Sequence, residues 1–169
     1  DTPRLREYLY HQERTVNYMS TLERAIEIAR EAHAGQYDKA GKEYILHPLR
    51  VMERGRTEEE KIVGVLHDVV EDSEWTFEML EAKGFTPEVI EALRCVTKLS
   101  EDEDYDHFID RVLSNPLAMR VKLLDLEDNM DLSRLGECTE NDILRLRKYQ
   151  RAYDRIKESI TVASAITEI

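Results

Sequence analysis

Apolar residues recur along this chain at helical spacing, and little interrupts that period: only six glycines and four prolines punctuate 169 residues. Leu22, Ala25, Ile26, Ala29 and Ala32 form one stripe, so 21–34 reads as an amphipathic helix. Gly35, Asp38 and Gly41 supply turn chemistry and leave 35–44 as a loop. A short helix opens at Pro48, a favoured first-turn residue, and runs out near Gly55. Thr57 with Glu60 makes a capping box that starts a helix through about Asp72, with Glu58-Glu59-Glu60 as a solvated first turn. The middle of that helix, Ile62-Val63-Gly64-Val65-Leu66, is apolar all round, which sends it through a core. Thr76 and Thr86 are further N-caps, the second strengthened by Pro87. After an acidic loop at 100–104, helices follow over 105–114, 116–132 and 139–167, the last begun by Thr139 and Asp142. No strand pattern, repeat or linker interrupts the series. The expected architecture is all-α: a single compact helical domain over 21–169, behind an N-terminal extension at 1–20.

Composition narrows the partners. Hydrophobic residues make up 41% and charged residues 36%, enough for one core with solvated helix faces and no need of disulfides. Cys95 and Cys138 lie far apart and in no CxxC spacing, which argues against a zinc knuckle and for a reducing, cytoplasmic setting. No run approaches the roughly 20 apolar residues of a membrane span. The polar stretch 1–19, with charges of both signs, is unlike a signal peptide. The net charge of −12 repels nucleic-acid polymers and anionic membranes. A small anionic ligand stays compatible if a metal ion and a few lysines invert the field locally.

The sharpest chemical signal is Leu66-His67-Asp68-Val69-Val70-Glu71-Asp72, one histidine and three acids closing an otherwise apolar helix. Acids at a helix C-terminus oppose its dipole, and buried charges need partners, so a cation nearby is the simplest account. His67 and Asp68 can flank one ion, and Glu71 and Asp72 lie one turn further on. His47 precedes Pro48 at a helix start, and Asp125 is a lone acid within Val121-Lys122-Leu123-Leu124-Asp125. Two histidines and two carboxylates from three segments form a mixed nitrogen and oxygen shell suited to manganese, iron(II) or zinc, and poorly suited to thiolate chemistry. Such an ion acidifies water and polarises a phosphoryl group. Among other residues, His33 reads as structural or as a neighbour of the ligands. His11 and His107 read as surface residues and Trp75 as loop packing. Leu144, Leu146, Tyr149, Tyr153 and Ile156 read as core, and the apolar end at 160–169 hints at a homo-oligomer contact.

His47, His67-Asp68 and the distant Asp125 resemble the H…HD…D pattern of the HD superfamily of metal-dependent phosphohydrolases. Ala32-His33-Ala34-Gly35-Gln36, Lys39 to Pro48, His67 to Asp72, Thr97-Lys98 and Asp125 to Asn129 are similar, in order and spacing, to the hydrolase domain of RelA/SpoT-type proteins. The resemblance implies a 3′-pyrophosphohydrolase of the alarmone (p)ppGpp with its metal site in a central cleft. It assigns His47, His67, Asp68 and Asp125 to manganese, with iron, zinc or cobalt as other divalent choices. It gives the attacking water to Glu71 and Asp72, and nucleotide contacts to Lys39, Asn129 and Lys98. Three positions depart from the family's usual residues: Asp38 and Leu126 stand where arginine is common, and Leu132 where a polar nucleotide contact is common. Two other readings stay open: a phosphohydrolase of another nucleotide, such as a nucleoside monophosphate or a dinucleotide cofactor, and an inactive nucleotide-sensing module.

Overall fold

The computed structural model describes residues 2–6 and 21–167, so most of the expected N-terminal extension, His11 included, lies outside the described residues. The first long helix, α1 (Thr21–Ala32), buries Ala25, Ile28 and Ala29. Gly35 at φ +78° turns the chain out of it, in the left-handed region that costs glycine least. The loop then folds back on itself, the Asp38 amide donating to the Lys42 carbonyl at 2.8 Å and the Tyr44 amide to that of Gln36 at 2.9 Å. Helix α2 (Leu46–Arg54) begins two residues before Pro48, so the proline falls in the first turn and His47 rides on the helix itself.

Helix α3 (Glu58–Leu66) starts at the expected capping box. Glu60 is not solvated as expected: it is buried, holding the amides of Arg56 and Thr57 and the Arg120 guanidinium. Nor does the helix run unbroken to Asp72. It stops at His67, and α4 (Val69–Asp72) resumes after Asp68 at φ −106°, ψ 0°. The physical cause is local. His67 Nδ1 lies 2.6 Å from the Gly64 carbonyl, the acceptor that a regular helix would offer to the Asp68 amide. The interruption turns His67 and Asp68 inward together.

Helices α5 (Phe77–Ala82) and α6 (Pro87–Cys95) are capped by Thr76 and Thr86 as read from the sequence. Helix α7 (Tyr105–Leu113) is followed by α8 (Pro116–Asn129), which ends short of the expected 132. There Asp131 caps a 3-10 turn, Leu132–Arg134, by accepting the Ser133 amide. The last helix is α9 (Glu140–Thr167). No strand occurs among the described residues, where Tyr37 and Glu43 form only an isolated bridge. The fold is all-α, as expected.

Helix α8 runs through the middle and packs on α2, α3, α6, α7 and α9. It therefore buries residues on nearly every side, including two acids, Asp125 and Asp128. Helix α9 packs through Ala152 and Ile156, with Tyr149 and Tyr153 half-buried, whereas Leu144 is 60% exposed and is not core. The approach of α2 to α3, which brings the two histidines together, is set by Gly64: a Cβ there would meet Val51 Cγ1 at 3.1 Å and the Met52 amide nitrogen at 3.4 Å. Overpacking of this kind costs about 1–3 kcal/mol, more than the roughly 0.5–1 kcal/mol that replacing a helical glycine returns. Gly64→Val is therefore expected to lower the urea midpoint of unfolding, and an unchanged midpoint would show that the two helices are free to part.

Candidate metal centre

The break after α3 and the first turn of α2 bring His47 and His67 face to face, with their Nε2 atoms 3.2 Å apart. Each ring is fixed from behind. His67 Nδ1 must donate to the Gly64 carbonyl, since a carbonyl only accepts. His47 Nδ1 lies 2.7 Å from Asp128 Oδ2 and donates to it. In the neutral rings both Nε2 lone pairs therefore point into one space, and two lone pairs repel unless a cation lies between or beside them. Carboxylates close the same space. Asp125 Oδ1 lies 2.9 Å from His47 Nε2 and 3.2 Å from His67 Nε2, and Asp68 Oδ2 lies 3.1 Å from His67 Nε2.

The electrostatics agree. Burial alone would lower the His67 pKa, yet the Asp68 and Asp125 charges outweigh it and hold it well above the usual imidazole range. Burial opposes protonation of His47 as well, but its hydrogen bonds to Asp125 and Asp128 raise it. The cluster demands positive charge at the two Nε2 atoms. A divalent ion would satisfy that demand: His47, His67 and Asp68 offer ligand atoms within 4.8 Å of one another, and Asp125 Oδ1 stands beside both imidazoles. The mixed nitrogen and oxygen set fits such an ion.

Around the donors sits a ring of supporting contacts. Asp128, fully buried, is gripped by Arg50 at 2.8 and 3.1 Å, with Arg54 and Arg134 nearby, and its hydrogen bond sets the His47 tautomer. Asp125 Oδ2 accepts from Lys122 at 2.8 Å, and its Oδ1 accepts from Asn129 at 3.0 Å. The Tyr44 hydroxyl donates to Asp68 Oδ2 at 2.5 Å. Sequence reading missed Asp128, Lys122, Arg50 and Tyr44. Asp128 is the second acid on the inward face of α8, three residues after Asp125, but among Glu127 and Asn129 it reads as part of a solvated helix end. Lys122 stands three residues before Asp125, a spacing that itself signals an ion pair.

Other expected residues fall around this centre. Glu71 and Asp72 stand at the rim, and the Glu71 carboxylate accepts the Lys98 amide at 2.6 Å. Glu71 lines the 120 Å³ cavity that holds His67, Asp68 and Asp125, and Lys98 and Asn129 line it too. Asp72 instead faces an 800 Å³ cavity on the far side of Glu71. Partial shielding, then the Asp68 and Glu71 charges, push Asp72 up to about 6, and shielding also raises Glu71. Lys39 lines a third cavity, of 370 Å³, that reaches His47, Asp128 and Asn129 from the opposite side. His33 is outside the donor cluster: it is buried, bonds Gln36 at 2.8 Å, and stacks 5.1 Å from Tyr44. Trp75 packs against the core and His107 is exposed. Asp38 lines the 370 Å³ cavity but spends Oδ1 on the amides of Ala40 and Lys42, each at 2.9 Å. Leu132 lines that cavity, and Leu126 is buried in the core.

Fold and donor set together define an HD-type helical domain. In sequence, the chain is 34% identical over 118 residues to the guanosine-3′,5′-bis(diphosphate) 3′-pyrophosphohydrolase of Aquifex aeolicus, covering 65% of this chain and 17% of that protein. It is 33% identical over 128 residues to a probable GTP pyrophosphokinase of Mycobacterium leprae, covering 69% and 16%. It is 30% identical over 123 residues to the bifunctional (p)ppGpp synthase/hydrolase SpoT of Escherichia coli, covering 64% and 17%. A solved structure described as a metazoan ortholog of SpoT that hydrolyzes ppGpp superposes with a TM-score of 0.71 at 24% identity, over 83% of this chain and 87% of that one. No family model matches the chain. The resemblance read from the sequence is borne out: the chain corresponds to the HD-type hydrolase domain of RelA/SpoT proteins, and spans less than a fifth of the length of those curated relatives.

Two measurements check the centre. Asp128→Ala frees the His47 ring and is expected to weaken divalent-metal affinity by roughly 10–100-fold in calorimetry; unchanged affinity would remove Asp128 from the account. Asp72 holds its proton more tightly folded than unfolded, so its contribution to stability is present at low pH and is lost as pH rises from the ordinary carboxyl range through about 6. In metal-free protein Asp72→Asn is therefore expected to raise Tm at pH 7.5 and to leave it unchanged at pH 3.5. A gain of equal size at both pH values contradicts this.

Proposed function

We propose that this chain, as an HD-type domain over 21–169 behind the extension 1–20, removes pyrophosphate from the 3′ position of (p)ppGpp with manganese as its ion. The observation that carries the reading is the pair of opposed Nε2 atoms flanked by Asp68 and Asp125, with a proton-accepting acid, Glu71, lining the same cavity. The names of the sequence relatives support the substrate.

In this reading His47, His67, Asp68 and Asp125 hold the ion. Bound there, it supplies Lewis acidity, which acidifies water and draws charge from the phosphoryl group. Glu71, oriented by the Lys98 amide, accepts a proton of the attacking water, and partial burial raises its pKa in the direction that suits a proton acceptor. Asp72, on the neighbouring cavity beyond Glu71, passes that proton out to solvent. Water oxygen bonds to phosphorus, the bond from phosphorus to the 3′ oxygen breaks, the 3′ oxygen takes up a proton that in net replaces the one given to Glu71, and from ppGpp the products are GDP and pyrophosphate. Lys39 and Asn129, on the 370 Å³ cavity, take the nucleotide, and Lys98 lies on the phosphate side. The substrate is a small molecule, with no polymer and no membrane among the partners; no helix among the described residues is long and apolar enough to span one. The reading includes a cytoplasmic setting, supported by two free cysteines, and a homo-oligomer contact through exposed Val162 and Ile166.

A second reading, hydrolysis of another nucleotide, is favoured by Asp38 and Leu132, which make the nucleoside cavity less cationic and less polar than the family pattern. Pyrophosphate release from ppGpp, with manganese and then with a chelator, separates the two. Manganese-dependent release with GDP as co-product is expected; no reaction by metal-loaded protein moves the assignment to another nucleotide. Asp125→Asn is expected to lose metal and turnover together. Glu71→Gln is expected to keep metal and lose roughly 10²–10⁴-fold in kcat, and full activity in that variant would end its assigned role.

A further inference from the structure

The end of α6 carries an exchange of hydrogen bonds that its own sequence does not decide. A helix leaves its last carbonyls without donors, and a further turn would bring the Lys98 amide back to the Arg94 carbonyl. That turn is not made. The Lys98 amide donates to Glu71 instead, at 2.6 Å, and the Arg94 carbonyl accepts from Arg111 of α7 at 2.9 Å. The same guanidinium reaches the Thr97 carbonyl at 2.8 Å. Arg111 thus stands in for the amide that Glu71 has taken.

Arg111 is itself held in place. Its guanidinium takes both oxygens of Glu103, at 2.6 and 3.1 Å, and lies 5.4 Å from the centroid of the buried Phe108 ring. The Glu103 side chain is only 5% exposed, so solvent screens the pair little. Glu103 also accepts the Leu99 amide, at 3.5 Å, and the buried Thr97 hydroxyl donates to the Leu93 carbonyl at 2.6 Å. The chain is therefore tied down on both sides of Lys98, whose amide is left toward Glu71. Arg111 shares the 800 Å³ cavity with Glu71, Thr97 and Lys98, and lines neither the 120 Å³ nor the 370 Å³ cavity. It acts on the site through other residues and not by contact with an ion or a substrate.

We propose that Arg111 is a positioning residue for the proton acceptor: by taking the Arg94 carbonyl, it keeps the Lys98 amide available to Glu71. The inference rests on the role given to Glu71 for its kinetic consequence, and on the hydrogen bonds alone for its structural one. A carboxylate with a donor fixed on one oxygen presents the other in one orientation, and proton transfer in the transition state depends on such geometry. Without the guanidinium, α6 is offered the turn it now lacks. The Lys98 amide returns to the Arg94 carbonyl and Glu71 is released. Lysine is no substitute, because a compact ammonium paired with Glu103 does not span two carbonyls as the planar fork does.

Two variants test this: Arg111→Met, which keeps only the stem over Phe108, and Arg111→Lys, which keeps the charge facing Glu103 should the first fail to fold. The first readout is the amide spectrum of protein loaded with diamagnetic zinc. An amide proton bound to a carboxylate resonates at low field. The Lys98 amide is expected to move upfield in Glu71→Gln, and by a similar amount in Arg111→Lys. An unshifted Lys98 amide in folded Arg111→Lys overturns the proposal, whatever the protein does with ppGpp. The second readout is turnover with manganese. Arg111→Lys is expected to lower kcat about tenfold, the worth of one hydrogen bond to a charged group, with KM and manganese affinity unchanged. Added to Glu71→Gln it is expected to cost nothing more, since both substitutions disable the same proton transfer. A loss that multiplies with that of Glu71→Gln, or a raised KM at unchanged kcat, marks general structural support and overturns the positioning role. The two readings fail separately. A shifted Lys98 amide in a protein that leaves ppGpp intact sustains the exchange of hydrogen bonds and defeats the activity. Turnover of ppGpp with the Lys98 amide unshifted in Arg111→Lys sustains the activity and defeats the part given to Arg111.

Discussion

Two imidazole nitrogens that face each other 3.2 Å apart, each ring already donating through its other nitrogen, create a demand for positive charge that the rest of the structure is arranged around. At the break between α3 and α4, His67 Nδ1 holds the Gly64 carbonyl, which leaves its Nε2 beside the Asp68 carboxylate and the other imidazole. The demand explains why α8, the most enclosed helix, carries two acids. Asp125 meets the imidazoles directly and Asp128 meets one of them from behind. Buried acids are tolerable only when each is matched, and here Lys122 and Asn129 match one while Arg50, Arg54 and Arg134 surround the other.

The same bookkeeping reconciles an acidic chain with an anionic ligand. Net charge −12 disfavours phosphate polymers at long range, yet screening confines that repulsion to about 10 Å in ordinary buffer, and the field at a cleft is set by its own walls. The basic residues are not spread evenly. Arginines cluster beneath the larger cavity around Asp128, and lysines line the smaller one around Tyr105. A metal ion held between them would complete a positive corridor in a chain of net negative charge. Asp38, which by type looks hostile to such a corridor, is turned into loop architecture by its bonds to two amides.

Local rules made much of this legible. Helical period, capping residues and proline positions located eight of the nine helices named α1 to α9 among the described residues, because each is decided within a turn or two of chain. The donors His47, His67, Asp68 and Asp125 stood out as polar residues in apolar company. What escaped was decided at a distance. The break at His67 depends on a side chain taking a backbone acceptor, which no period reports. Glu60 looked solvated beside Glu58 and Glu59 but is buried by Arg120 from another helix. Asp128 became a partner of His47 only once α2 crossed α8, 81 residues away in sequence.

The central claim is that the opposed imidazoles are held apart by an ion. Crystals grown with manganese and measured at its absorption edge test it most directly. The account predicts one strong anomalous peak between His47 Nε2 and His67 Nε2, with the Asp68 and Asp125 carboxylates turned toward it. Manganese found only elsewhere on the molecule, with the two rings still in contact and hydrogen-bonded to those carboxylates, contradicts it.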